Sequence, residues 1–128
     1  LHRNASRAAT LDAARFGEVL RRRATLAREW RRFMADHPVV LMPMATELPF
    51  KRDEDLDGEA ALERIWQAQV AQIALPVVGL PAMSLATGIV DGVPSGVQLV
   101  APPWREDVCL AAGEILERTF GVPEIASV

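Results

Sequence analysis

The sequence predicts an α/β layer arrangement. Segments with apolar residues at three- and four-residue spacing alternate with short apolar runs bounded by proline or glycine. Residues 80–88 and 91–100 form two such runs joined by a turn rich in Gly, Asp and Pro, which reads as a hairpin-like pair of buried strands. No internal repeat or low-complexity tract interrupts the pattern. A chain of 128 residues with 50% hydrophobic residues can bury one core, so 1–128 is expected to be a single domain.

The first element is expected from Thr10 to Asp36 as one long helix. Phe16, Leu20, Ala24, Ala27, Trp30 and Met34 recur along one stripe, Thr10 can cap the start, and His37-Pro38 ends it. Seven arginines (Arg15, Arg21, Arg22, Arg23, Arg28, Arg31 and Arg32) occupy much of its remaining surface. The run Val39-Val40-Leu41-Met42, closed by Pro43, is consistent with a central strand. Residues 43–58 turn to Pro, Glu, Lys and Asp, the profile of a surface loop. Asp57 precedes a second helix, read from Gly58 to about Ile73 with Leu62, Ile65, Trp66, Gln69 and Ile73 on one stripe.

Residues 70–90 carry no charge, but Pro76 and Pro81 would break a membrane-spanning helix twice, so buried strands are expected there. Ser84 falls within this run as a buried hydroxyl bonded to backbone, and Ser95 in a Pro94-Ser95-Gly96 turn. A last helix runs from about Arg105 to Phe120, with Asp107 as its N-cap. Its apolar positions are Val108, Ala111, Ala112, Ile115 and Leu116, and Gly121 and Pro123 stop it.

Composition excludes several functions. A formal charge of -3 and a pI near 5.4 give no reason to expect a nucleic-acid or anionic-membrane partner. The arginine-dense helix lacks the interleaved aromatics of a phosphate-binding surface and reads as a solvated face, or one docked on an acidic neighbour. Cys109 is the only cysteine, so no internal disulfide forms. Its place in an apolar helical pattern makes it a structural thiol and fits a cytoplasmic address. The chain begins at Leu1 and its first residues lack a signal peptide's apolar region, so it is expected to be a piece of a longer polypeptide.

Catalytic groups are sparse. The serines are Ser6, Ser84, Ser95 and Ser127, none adjacent to another, and the only lysine, Lys51, sits in the charged run Lys51-Arg52-Asp53-Glu54-Asp55. A solvated ammonium has nothing to lower its pKa and is a poor base. His2 is near the start of the chain and His37 abuts a proline, and neither has metal-ligand neighbours. Asp53, Glu54, Asp55 and Asp57 lack EF-hand spacing and read as a solvated acidic loop.

The wording of residues 80–107 carries a resemblance. Leu80-Pro81-Ala82-Met83-Ser84, then Gly92-Val93-Pro94-Ser95-Gly96-Val97-Gln98-Leu99-Val100, then Arg105-Glu106-Asp107 resemble the C-terminal end of the amidase signature family, serine hydrolases that cleave carboxamides. Val39-Val40-Leu41-Met42-Pro43 is similar to a family strand ending in threonine-proline, with Met42 in place of the threonine. The resemblance implies a mixed-sheet α/β layered sandwich, of which residues 39–128 are the C-terminal part. It also implies that the nucleophile, its neighbouring serine and its lysine lie upstream, so no catalytic residue, metal ligand or cofactor is expected in this chain. By position, Trp66, Gln69, Val70 and Ile73 map to the acyl-pocket wall. Members acting on glutamine carry an acid near Gln69, so that substrate class is disfavoured. Leu75-Pro76 stand where the family usually has an asparagine.

The expected role is therefore scaffold and pocket wall of an amide hydrolase. Its partners would be a small-molecule amide, the upstream catalytic part of the same polypeptide and a further copy in a homo-oligomer, with no nucleic acid and no membrane. The alternative is a non-catalytic interaction or dimerisation module, joined through the helix 10–36, that keeps an amidase-like tail.

Overall fold

The computed structural model describes residues 11–121. Helix α1 (Ala13–Asp36) is capped by Asp12, whose carboxylate accepts a 2.7 Å hydrogen bond from the Arg15 N–H. Thr10, expected as the cap, lies outside the described residues. Of the apolar stripe, Met34 is buried and Trp30 and Ala27 are partly covered, while Phe16 (54%) and Leu20 (46%) stay exposed. A helix of 24 residues is about 36 Å long and overhangs a sheet only three strands wide.

Strands β1 (Val40–Pro43), β2 (Ala82–Val90) and β3 (Val93–Val100) pair antiparallel in the order β1-β3-β2. The α/β layering is present. Any parallel partner of a mixed sheet would come from outside the described residues. β1 is an edge strand here, not a central one: half-buried Val40 and Met42 alternate with exposed Leu41 and Pro43. Proline, which cannot donate to a ladder, suits that edge.

The helix expected to continue to Ile73 is two helices, α2 (Glu59–Ala68) and α3 (Val70–Val78), separated at Gln69. Gly58 rather than Asp57 occupies the cap of α2, with φ of 105°. Helix α3 stands where strands were expected, because uncharged apolar runs look alike in a strand and a short buried helix. Pro76 is tolerated in its last turn, and Gly79 (φ 74°) closes it while the Leu80 N–H reaches back to the Leu75 carbonyl.

Asp91 (φ 51°) and Gly92 (φ 78°) form the two-residue turn between β2 and β3, the left-handed pair that matches strand twist. Because this dipeptide makes the turn, Pro94-Ser95-Gly96 lies within β3, correcting the turn expected there. β1 reaches along β3 only to the Pro43–Val97 pair, so Pro94 meets no ladder on that side. Between Ala86–Gly96 and Gly88–Ser95 the register shifts, leaving Thr87 as a bulge.

Helix α4 (Glu106–Phe120) starts from Arg105 without a side-chain cap. Asp107 lies inside the first turn, where both its oxygens accept 2.9 Å bonds from the Arg105 guanidinium, so it is not the N-cap. That bond lowers the Asp107 pKa. Helices cover both faces of the sheet. On one, Met34, Leu75, Leu80 and Val100 pack with Trp30, Val40, Met42 and Val78. On the other, Leu99, Ala101 and Cys109 pack with Met83, Val108, Ala112 and Leu116. Ile115 is exposed, since Cys109, Ala112, Gly113 and Leu116 take the inward face of α4.

Candidate functional site

A groove of about 840 Å³ opens where the α1/α3 side of the sheet runs beyond its covering helices. Its walls are the loop from Pro43 to Phe50, the α2–α3 junction at Gln69 and Gln72, and the facing stretches Ser84–Ala86 and Pro94–Gly96.

Each wall has a local cause. Gln98, 4% exposed at the centre of the sheet, donates from Nε2 to the Pro43 carbonyl at 3.1 Å and fixes the point where β1 becomes loop. Three residues on, the Thr46 N–H donates to the Ala68 carbonyl at 2.9 Å and ties the loop to the end of α2. Arg64 of α2 then holds the loop by two ion pairs, one to Glu47 and one to Glu54, with its guanidinium 5.7 Å from the Phe50 ring centre. On the sheet side Gly96 is obligatory by space: a Cβ there would meet the Leu85 carbonyl oxygen at 2.7 Å. The Thr87 bulge bends β2 next to it, and the Thr87 hydroxyl donates to the Ser95 carbonyl at 3.4 Å.

The groove lining is mostly apolar, with three hydroxyl residues (Thr46, Ser84, Ser95) and two carboxamides (Gln69, Gln72). Among the described residues Glu47 is its single ionisable one, and it is paired. Ser84, expected as a buried hydroxyl, is exposed, because no helix covers this part of the β2 face. Such a surface can seat an uncharged ligand and offer it hydrogen bonds. Among the described residues it contains no nucleophile bonded to a base. Lys51 is exposed in the loop, its backbone N–H donating to Glu54 at 2.9 Å. The His37 ring lies 4.6 Å from that of Phe33. Cys109 is buried and donates to the Leu99 carbonyl at 3.5 Å; burial, then the charges of Glu106 and Asp107, push its pKa up. No group of three or more His, Cys, Asp or Glu side chains converges as metal ligands among the described residues. His2, Ser6 and Ser127 lie outside them.

Of the residues mapped to the pocket wall from sequence, Gln69 lines the groove. Trp66 and Val70 are exposed on α2 and α3, Ile73 is half-buried, and none of the three is part of its lining. The sequence reading did not assign Gln72 or the 43–50 loop to the wall. The signal that could have found the loop is the close-set Pro43 and Pro49 around an apolar-rich stretch, while Gly96 stood inside a motif already noted. No helix among the described residues is long and apolar enough to cross a membrane.

Comparison with known proteins gives a consistent result. The sequence model of the family described as Amidase matches residues 1–110. An indoleacetamide hydrolase of Bradyrhizobium japonicum is 32% identical over 118 residues, covering 91% of this chain and 25% of the relative. The A subunit of a glutamyl-tRNA(Gln) amidotransferase from Streptococcus equi subsp. zooepidemicus is 30% identical over 97 residues, covering 76% of this chain and 19% of the relative. Its counterpart from Archaeoglobus fulgidus is 28% identical over 99 residues, with 77% and 21% covered. The chain thus spans a quarter or less of the length of these relatives.

Proposed function

Since this chain belongs to the amidase family, we propose that it forms one wall of the substrate pocket in a carboxamide hydrolase whose nucleophile and base are supplied elsewhere in the same polypeptide. The observation that carries this reading is the groove itself. It is an apolar trough edged with hydroxyl and carboxamide groups, and the described residues bring no nucleophile–base pair to it. Amide cleavage through a covalent intermediate needs both groups within hydrogen-bond reach.

The substrate in this reading is a neutral carboxamide with an apolar acyl group. Gln69 offers no charge to an ammonium, and Glu47 is engaged by Arg64. An apolar wall suits the kind of acyl group in the name of the indoleacetamide hydrolase relative better than a γ-glutamyl group, which bears an ammonium and a carboxylate. The test is ammonia release from aliphatic and aryl primary amides. The polypeptide that includes the residues upstream of this segment releases ammonia, and the 128-residue chain alone releases none. Turnover by the chain alone, abolished by Ser84→Ala, would overturn the assignment of catalysis to other residues.

A second reading, that the chain is an interaction module, draws support from α1, whose Phe16, Val19, Leu20 and Phe33 are exposed. Phe16, Val19 and Leu20 share one face at helical spacing, and exposed apolar surface of this kind is commonly covered by a partner. In this reading the chain self-associates through α1, and sedimentation of a Phe16→Ser, Leu20→Ser variant shows a monomer where the wild type shows a dimer. A wild type that sediments as a monomer at high concentration would remove it.

A further inference from the structure

Resting on the pocket-wall reading above, we propose that Arg64 is a specificity-determining residue: by pairing with Glu47 it masks the one carboxylate on the described groove wall, and so excludes cationic amides from the groove. Arg64 does not itself line the groove. It projects from α2, and its two terminal nitrogens divide between Glu47 on the wall and Glu54 in the 3-10 turn Glu54–Leu56. A guanidinium presents its donors in a rigid fork, so the two pairs are made together and fix its position. The Phe50 ring, 5.7 Å from the guanidinium carbon, backs the same group.

Glu47 is held in register as well. Its neighbour Thr46 is bonded through the backbone to Ala68, one turn along α2 from Arg64. That bond keeps the Glu47 backbone beside the groove when Arg64 is replaced. Its side chain is 39% exposed in the pair, so it keeps its contact with water once unmasked. Without Arg64 the groove would present an unpaired carboxylate among apolar groups, which is what a substrate ammonium requires.

The experiment uses the full-length enzyme and two amides of equal chain length, hexanamide and 5-aminopentanamide, in which an ammonium replaces the terminal methyl. The quantity read is the ratio of kcat/KM for the cationic to the neutral amide. Arg64→Met is expected to raise that ratio about five-fold or more, chiefly through KM. Adding Glu47→Gln to it returns the ratio to the wild-type value. Glu47→Gln alone, whatever it does to absolute rates, shifts the ratio by less than about two-fold, because the carboxylate it removes is already masked. An unchanged ratio in Arg64→Met, or a gain that survives in the double variant, overturns the proposal. Should Arg64→Met fail to fold, Glu47→Gln decides alone: a fall in the ratio of about five-fold would mean Glu47 already acts as a free anion. If the wild type cleaves neither amide, the hydrolase reading falls separately. The same ratio, read as dissociation constants of the two amides by calorimetry, still tests Arg64.

Discussion

Replacing Gly96 by alanine probes the join between fold and groove most directly. The added Cβ would lie 2.7 Å from the Leu85 carbonyl oxygen, 3.4 Å from its carbon and 3.6 Å from the Ala86 Cα. All three are backbone atoms of β2, so no side-chain rotation relieves the contact. The backbone of Gly96 is not left-handed, which leaves crowding as the whole effect. The strands must separate at the Ala86–Gly96 pair, beside the Thr87 bulge. Overpacking of this kind costs about 1–3 kcal/mol. With a urea dependence of about 2 kcal/mol per molar for a chain of this size, the unfolding midpoint falls by about 1 M. Tryptophan fluorescence in a urea titration measures it. Gly113→Ala is the control: its Cβ would meet the terminal methyl of Met83, which can swing aside, so its midpoint moves less. A Gly96→Ala midpoint equal to wild type, or a larger loss in Gly113→Ala, would refute the argument from backbone contact.

Other expectations follow from the same structure. Gln98→Leu leaves the Pro43 carbonyl without its partner and costs about 1–2 kcal/mol, read by the same titration. Asp12→Ala removes the α1 cap and costs about 1 kcal/mol, with loss of helical ellipticity from the first turn. Cys109 reacts with a thiol reagent only once denaturant is added, because it is buried and its pKa is raised. A raised folded-state pKa gives stability that is complete below the unfolded thiol's pKa and is lost as pH climbs through the folded one. Wild type therefore loses stability more steeply than Cys109→Ala on the alkaline side of about pH 8.5, the unfolded thiol's value. Arg105→Gln raises the Asp107 titration midpoint followed by NMR, since the guanidinium bond is the first cause of its depression.

The hairpin and α4 were legible because local chemistry writes them: Asp91-Gly92 must turn, and Gly121 must stop a helix. The family was legible for the same reason, since its wording is concentrated in 80–107. Helix α3 was not, because Val70–Val78 is uncharged, apolar apart from Gln72, and carries a proline. Only the neighbours that cover it distinguish helix from strand. The edge position of β1 was hidden because four apolar residues give no count of partners. In the groove, Gln69 could be placed by motif position, whereas the 43–50 wall depends on Gln98 and Arg64 reaching it from 55 and 17 residues away in sequence. No local pattern records such tertiary ties. The exposed Ser84 misled for a related reason, since an apolar strand reads as covered even where its helix stops short.

The pairing of β1 with β3 has a consequence for the order in which the molecule assembles. Val90 and Val93 meet across a two-residue turn, whereas Pro43 must find Val97 across the whole of α2, α3 and β2. Closing the longer loop costs about 3 kcal/mol more in chain entropy than closing the shorter one. The hairpin can therefore form early, and β1 joins a sheet already built. In a chevron analysis, Gln98→Leu should accelerate unfolding and leave the folding limb unmoved, while Gly92→Ala slows folding. Because one groove wall rides on β1 and the other on the hairpin, the groove exists only after that final docking.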